Sequence, residues 1–182
     1  MNIWEKNKEV ESKILDIDRV SIEKKIIDLW WKKVFEWILD ATWFENINWE
    51  KVRVRKEGNK VVTEYKKKIE TSNNAKECIE IWYSPDNYDS QIEVFKSLWL
   101  IEISRSIKTR VSYLLENFDD NLDVRFDFDK YSDLWWIEIP ELLEIEASSY
   151  DVILKITDLL WYKESDLNDW WAWDLLKYYK NK

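Results

Sequence analysis

Apolar and polar residues alternate with a period of two through most of the chain, as they do in strands with one covered face. The alternation predicts eight strands, at Lys8 to Asp16, Val34 to Glu45, Val52 to Glu57, Lys60 to Glu70, Lys76 to Tyr83, Ile101 to Leu115, Leu122 to Lys130 and Leu142 to Ala147. Other segments carry apolar residues at helical spacing behind a polar residue able to cap their start. They are Ser21 to Leu29, about Asp86 to Leu98, Ser149 to Leu160 and Asn168 to Tyr179. Glu57-Gly58-Asn59-Lys60 reads as a hairpin turn. Strands with one helix inserted among them and a helical tail imply an α+β fold with a largely antiparallel sheet. No Pro, Gly or Ser-rich linker and no solenoid repeat divides the sequence. Residues 1–182 are therefore expected to form one domain, with a strand core at about 8–147 and C-terminal helices at 149–179.

The polar faces of these strands carry the chemistry. Glu9, Glu11 and Lys13 share a face, as do Arg53 and Arg55, then Glu64, Lys66 and Lys68, then Lys108, Arg110 and Ser112. Asp123, Arg125, Asp127 and Asp129 oppose Leu122, Val124, Phe126 and Phe128, and Glu144 lies beside Glu146. For one strand, such a face is a solvated side of a half-buried sheet. Eight strands can instead close into a barrel, polar inside, with the amphipathic helices over its apolar exterior. The interior would gather carboxylates at Glu9, Glu11, Asp127, Glu144 and Glu146 against Lys13, Arg53, Arg55, Lys66, Lys68, Lys108, Arg110 and Arg125. Clustered carboxylates suit a hard divalent cation, Mg²⁺ or Mn²⁺, and paired Arg forks suit phosphate. Together they describe a site for a metal-bound polyphosphate.

Composition narrows the classes. The chain has no His, which removes imidazole bases and His metal ligands and leaves an all-oxygen metal site standing. Its one cysteine, Cys78, can form no internal disulfide, and no apolar run has the length of a spanning helix. A cytoplasmic protein without membrane association is expected. The net charge of −9 argues against nucleic acid as a bulk partner, though a basic interior could hide within it.

The motifs resemble a known family. Glu9-Val10-Glu11-Ser12-Lys13 is similar to the ExExK signature at the first strand of the CYTH superfamily, the triphosphate tunnel metalloenzymes, which include class IV adenylyl cyclases and thiamine triphosphatases. Arg53-Val54-Arg55 resembles the family's RxR, Thr63-Glu64-Tyr65-Lys66 its lysine-ending strand, Lys108-Thr109-Arg110 its KxR and Leu143-Glu144-Ile145-Glu146 its closing ExE, all in the family's order. The resemblance implies that Glu9, Glu11, Glu144 and Glu146 bind the divalent ions, with Asp127 contributing. Lys13, Arg53, Arg55, Lys66, Lys108, Arg110 and Arg125 would hold the triphosphate, with Lys66 or Lys68 at the lysine position. Lys13 and Lys66 are the candidate catalytic lysines. Cys78 stands where relatives often carry a carboxylate and reads as a small buried filler.

The implied activity is hydrolysis of a terminal phosphate of tripolyphosphate, thiamine triphosphate or a nucleoside triphosphate. The alternatives are a class IV adenylyl cyclase and a non-catalytic polyphosphate sensor. The expected partner is a small-molecule triphosphate, and the expected assembly a monomer or homodimer.

Fourteen Trp stand against one Gly. Trp30-Trp31, Trp99 and Trp161 close helices, Trp49 sits in a hairpin and Trp135-Trp136 in a loop, all places where glycine is wanted. Most of these tryptophans are expected to be UGA codons that the source organism reads as glycine, which warns against taking Trp pairs as stacking platforms.

Overall fold

The alternating segments close on themselves. The computed structural model describes residues 8–29, 31–72, 74–119 and 122–182. The strands are β1 (Lys8–Ile14), β2 (Lys32–Glu45), β3 (Lys51–Glu57), β4 (Lys60–Ser72), β5 (Ala75–Tyr83), β6 (Ile101–Asp119), β7 (Leu122–Leu134), β8 (Ile137–Ala147) and the short β9 (Leu167–Asn168). They lie in the order β5-β4-β3-β2-β6-β7-β8-β1, and the pairing of β1 with β5 closes an eight-stranded antiparallel barrel. Closure removes the exposed strand edges that an open sheet of this length would present. The helices are α1 (Arg19–Asp28), α2 (Tyr88–Ser97), α3 (Tyr150–Leu159) and α4 (Ala172–Lys180). The side chains of Asp18, Asn87 and Ser149 cap the first three of them, and the Asp174 carboxylate accepts from the Trp171 N–H at the start of α4. No helix among the described residues is long and apolar enough to cross a membrane.

The apolar core lies outside the barrel, between strands and helices. Ile22 and Ile26 of α1 and Val152, Ile153 and Ile156 of α3 pack on Val124, Phe126, Phe128, Leu143 and Ile145, the outward residues of β7 and β8. Ile92 and Phe95 of α2 cover Phe44 and Val54, and Leu175 and Leu176 of α4 cover Tyr131, Leu134, Ile139 and Leu142. Burying one face under helices leaves the other face of every strand pointing into the lumen.

Local differences from the sequence reading have simple causes. Residues 135–136 form a two-residue hairpin turn, with Leu134 paired to Ile137, where the sequence suggested a looser loop. The tail helix begins at Ala172 because Leu167 and Asn168 are taken into the sheet as β9, opposite Ile14 and Lys13. Trp31 is buried against Phe126, at 3.7 Å between ring centroids, and not placed at a turn, while Trp30 lies outside the described residues.

Candidate active site

The barrel interior is a cavity of about 420 Å³ whose wall is charged on nearly every strand. β1 supplies Glu9, Glu11 and Lys13; β3 supplies Arg53 and Arg55; β4 supplies Glu64 and Lys66; β6 supplies Lys108 and Arg110; β7 supplies Arg125; β8 supplies Glu144 and Glu146. Lys60, Lys76, Glu57 and Glu80 complete the charged wall, and Asp127 and Asp129 are fully buried on the inward face of β7. Burying so many charges is tolerable because most of them are paired.

In one sector the carboxylates converge. Oxygens of Glu11, Glu144 and Glu146 lie within 4.8 Å of one another, because the register of β1 with β8 sets Glu11 opposite Glu146 and Lys13 opposite Glu144. Lys66 Nζ reaches Glu9, Glu11 and Glu80 at 2.6 Å each. Lys13 bridges Glu11 at 3.2 Å and Glu144, and Lys76 pairs with Glu11. Burial opposes ionisation of Glu11, but Lys13, Lys66 and Lys76 outweigh it and hold the carboxyl well below its usual range. Burial likewise opposes ionisation of Glu144, which Lys13, Arg110 and Lys108 hold down. Glu146 is pushed up to about 8 by burial and by Asp127 and Glu144, against the pull of Arg125 and Arg110. Glu9 is raised to about 10, mainly by burial. Two carboxyls that still hold protons beside two that do not make an oxygen-only donor set short of positive charge. That set fits a hard divalent ion, which would replace those protons.

In the opposite kind of sector the cations are in surplus. Arg53 Nη2 donates to both Glu64 oxygens at 2.6 and 2.8 Å, and Arg55 Nη1 donates to Glu64 at 3.0 Å. One carboxylate therefore serves two guanidinium groups; Arg55 pairs with Glu57 as well, and Lys60 on the same wall makes three cations to these two carboxylates. Burial disfavours the charge on Glu64, yet Arg53, Arg55 and Lys66 bring its pKa down to about 2. Arg53 Nε is buried with no partner, a donor left for an anion.

Arg110 links the sectors. It donates to Asp129 through Nε at 2.7 Å and Nη2 at 2.6 Å, to Glu144 at 2.9 Å, and pairs with Asp127. Lys108 also pairs with Asp129. Asp127 faces inward as expected; Arg125 donates to its Oδ1 at 2.9 Å, while Oδ2, ion-paired with Arg110, is buried without a hydrogen-bond partner, and the residue is neither among those lining the cavity nor in the carboxylate triad. Of the alternative lysines, Lys66 lines the cavity, whereas Lys68 sits beside a register shift in β4, half exposed, with Nζ 3.6 Å from Asp169. Cys78 is buried between Lys76 and Glu80, and burial pushes its thiol up to about 12. It is a filler and not a nucleophile.

Glu64, Lys76, Glu80 and Asp129 are not among the site residues expected from the sequence, although Glu64 shares a face with Lys66, and Asp129 with Asp127. Lys13 and Lys66 are buried, which lowers a lysine's pKa, but their surrounding carboxylates raise both above the ordinary value. Lys76 alone of these is lowered, to about 8, by burial and by the nearby Lys13 and Lys66.

No family model matches the chain, and no curated protein sequence matches it. Solved structures do. The chain is similar to the PH1012 protein of Pyrococcus horikoshii OT3, at 23% identity over 92% of this chain and 98% of that one, with a TM-score of 0.74. It is similar to a Vibrio parahaemolyticus protein described as a candidate adenylate cyclase, at 13% identity over 93% and 97%, TM-score 0.69. A Hippeastrum protein, described as a candidate adenylyl cyclase with a dominant triphosphatase activity, matches at 11% identity over 83% and 84%, TM-score 0.55. The fold of this chain, a closed eight-stranded antiparallel barrel with helices outside it, is the one these solved structures share.

Proposed function

We propose that the protein is a divalent-metal-dependent enzyme that acts on triphosphate-containing small molecules and hydrolyses their terminal phosphate. The observation that carries this reading is the meeting, in one cavity, of the Glu11, Glu144 and Glu146 carboxylates with the Arg53 and Arg55 guanidiniums. Formally the charged wall, with Asp127 and Asp129, balances nine cations against nine carboxylates among the described residues. A triphosphate entering such a lumen gains little unless cations come with it. A Mg²⁺ or Mn²⁺ ion held by Glu11, Glu144 and Glu146, with Glu9 beside them, would neutralise phosphate oxygens.

The chain's own groups do the rest. Arg53 and Arg55 grip phosphate oxygens through guanidinium forks, and Arg53 Nε gains the partner it lacks. Lys13 and Lys66, held as cations by their carboxylate neighbours, act as charge-neutralising groups and not as bases. Lys108, Arg110 and Arg125 fix the far wall. Most of the rate comes from positioning and charge stabilisation, as phosphoryl transfer requires.

The likeness to a protein described as a candidate adenylate cyclase supports a second reading, attack on the α-phosphorus with pyrophosphate leaving. Both readings use the same grip. Purified protein with Mg²⁺ or Mn²⁺ is to be given tripolyphosphate, thiamine triphosphate and ATP in turn, with phosphate release and cyclic AMP measured. Phosphate release supports the hydrolase; cyclic AMP without phosphate replaces it with the cyclase; inertness toward all of them leaves a sensor.

A further inference from the structure

We propose that Trp49, Trp99, Trp135, Trp136 and Trp161 are glycines in the protein as its source makes it, each encoded by a UGA codon read there as glycine. The backbone carries the argument. These residues have φ of 64°, 64°, 50°, 69° and 69°, in the left-handed region, and no other described tryptophan does. The remaining positive-φ residues besides Gly58 are Asp16, Asn74 and Asn117, the types whose short polar side chains tolerate it. A bulky aromatic residue at positive φ is a genuine outlier, and this chain has it repeatedly.

Each tryptophan also stands at a specific glycine position of a recognised motif. After α2, the Trp99 N–H donates to Lys96 O at 3.1 Å and the Leu100 N–H to Phe95 O at 3.1 Å. After α3, the Trp161 N–H donates to Asp158 O at 2.9 Å and the Tyr162 N–H to Thr157 O at 3.0 Å. Both are Schellman caps, with tryptophan at the left-handed residue where glycine is usual. In the β2–β3 hairpin the Trp49 N–H donates to Asn46 O at 3.0 Å, and the Asn46 N–H to Glu50 O at 3.1 Å. That is a three-residue loop ending in a left-handed residue, again a glycine position. Trp135 and Trp136 are the central pair of a two-residue hairpin with positive φ at both, the turn for which Asn-Gly and Gly-Gly are preferred.

Packing gives little compensation: Trp135 meets Trp173 edge-on at 5.0 Å between ring centroids and Lys25 Nζ lies 3.7 Å from the Trp161 ring centroid, but the other rings are largely in solvent. Trp49, Trp99, Trp136 and Trp161 are 79%, 86%, 93% and 82% exposed. Gly58, the only glycine in the chain, sits at φ 59° in its own hairpin, as the motif requires. Trp31, by contrast, is buried and outside this set.

The test has a decoding arm and a backbone arm. The gene is read at these codons, and peptides of the protein from its source are weighed. UGA codons and glycine masses at all of them are expected; UGG codons or tryptophan masses overturn the proposal. Separately, the chain made with Trp49→Gly, Trp99→Gly, Trp135→Gly, Trp136→Gly and Trp161→Gly is melted beside the chain with tryptophan throughout. The glycine form is expected to melt about 10 °C or more higher. Equal melting temperatures would overturn it from the backbone side. None of these residues lines the cavity, so failure here leaves the triphosphate reading untouched.

Discussion

The β1–β8 sector and the β3–β4 sector of the lumen are made of the same side-chain types, yet they end with opposite shortages. Around Glu11, Glu144 and Glu146, carboxylates outnumber what the nearby lysines neutralise, and Glu9 and Glu146 retain protons at pH values where free carboxyls have lost them. Around Glu64, one carboxylate is shared by Arg53 and Arg55, and Arg53 Nε is left without a partner. A closed barrel can keep both imbalances because the two sectors compensate each other across one cavity, and Arg110 ties them through Asp127, Asp129 and Glu144. The first sector is built to accept a cation and the second an anion.

The strongest way to break that contrast is to remove a donor from the carboxylate triad. Glu146→Gln keeps the shape and takes away the carboxyl's ability to give up its proton to a bound ion. It is expected to lower kcat roughly 10³-fold, since a bound ion supplies several kcal/mol of charge stabilisation and each 1.36 kcal/mol is tenfold. Steady-state kinetics on the triphosphate that the protein turns over, with circular dichroism confirming the fold, checks it.

Arg110 tests the link between the sectors. Arg110→Met leaves Asp127, Asp129 and Glu144 with buried charge that has lost its main partner, at a cost of about 3–5 kcal/mol. A fall in Tm on the order of 10 °C is expected, read by thermal melting in the absence of substrate.

The arginine sector answers differently. Arg53→Ala removes a charge-assisted fork worth about 1.5–3 kcal/mol, so KM for triphosphate should rise roughly 10- to 100-fold, and more than Tm falls would explain.

Glu64 gives the smallest effect and the sharpest sign. Its folded pKa of about 2 lies below the 4.5 of the free group, so its pairing stabilises the fold above pH 4.5 and is lost as pH falls toward 2. Wild type should lose roughly 2 kcal/mol from this group by pH 3, whereas Glu64→Gln should show a correspondingly flatter loss between pH 6 and 3. Parallel acid-melting curves would show that the Arg53–Arg55–Glu64 pairing is not made.

Much of this was legible beforehand because the period of two is a statement about faces. Phe126 and Asp127 are adjacent, both fully buried, and their alternation alone assigns one to the helix-covered exterior and the other to the lumen. The motif residues at Glu9, Glu11, Arg53, Arg55, Lys108, Arg110, Glu144 and Glu146 do line one cavity. What alternation cannot give is level along the barrel axis and pairing across strands. Lys66 and Lys68 share a face in the sequence, but Lys66 reaches Glu9, Glu11 and Glu80, whereas Lys68 lies beside a register shift with its Nζ toward Asp169. Asp127 reads as a metal donor from the sequence, and alternation gives no sign that the neighbouring strand sets Arg110 beside it. β9 is two residues long, too short to carry a period, and its second residue, Asn168, reads as the start of the tail helix. At Trp135-Trp136 the sequence places a loop, and only the backbone shows it to be a two-residue hairpin, because tryptophan carries no signal for that turn.

The most direct test of the two-sector account is a calorimetric titration of inorganic tripolyphosphate into the purified protein, once with Mg²⁺ and once with a chelator. The account predicts saturable one-site binding with Mg²⁺ that weakens at least about tenfold when the ion is withheld, because the carboxylate sector then repels what the arginine sector attracts. Equally tight binding with and without the ion, or none in either case, would contradict it.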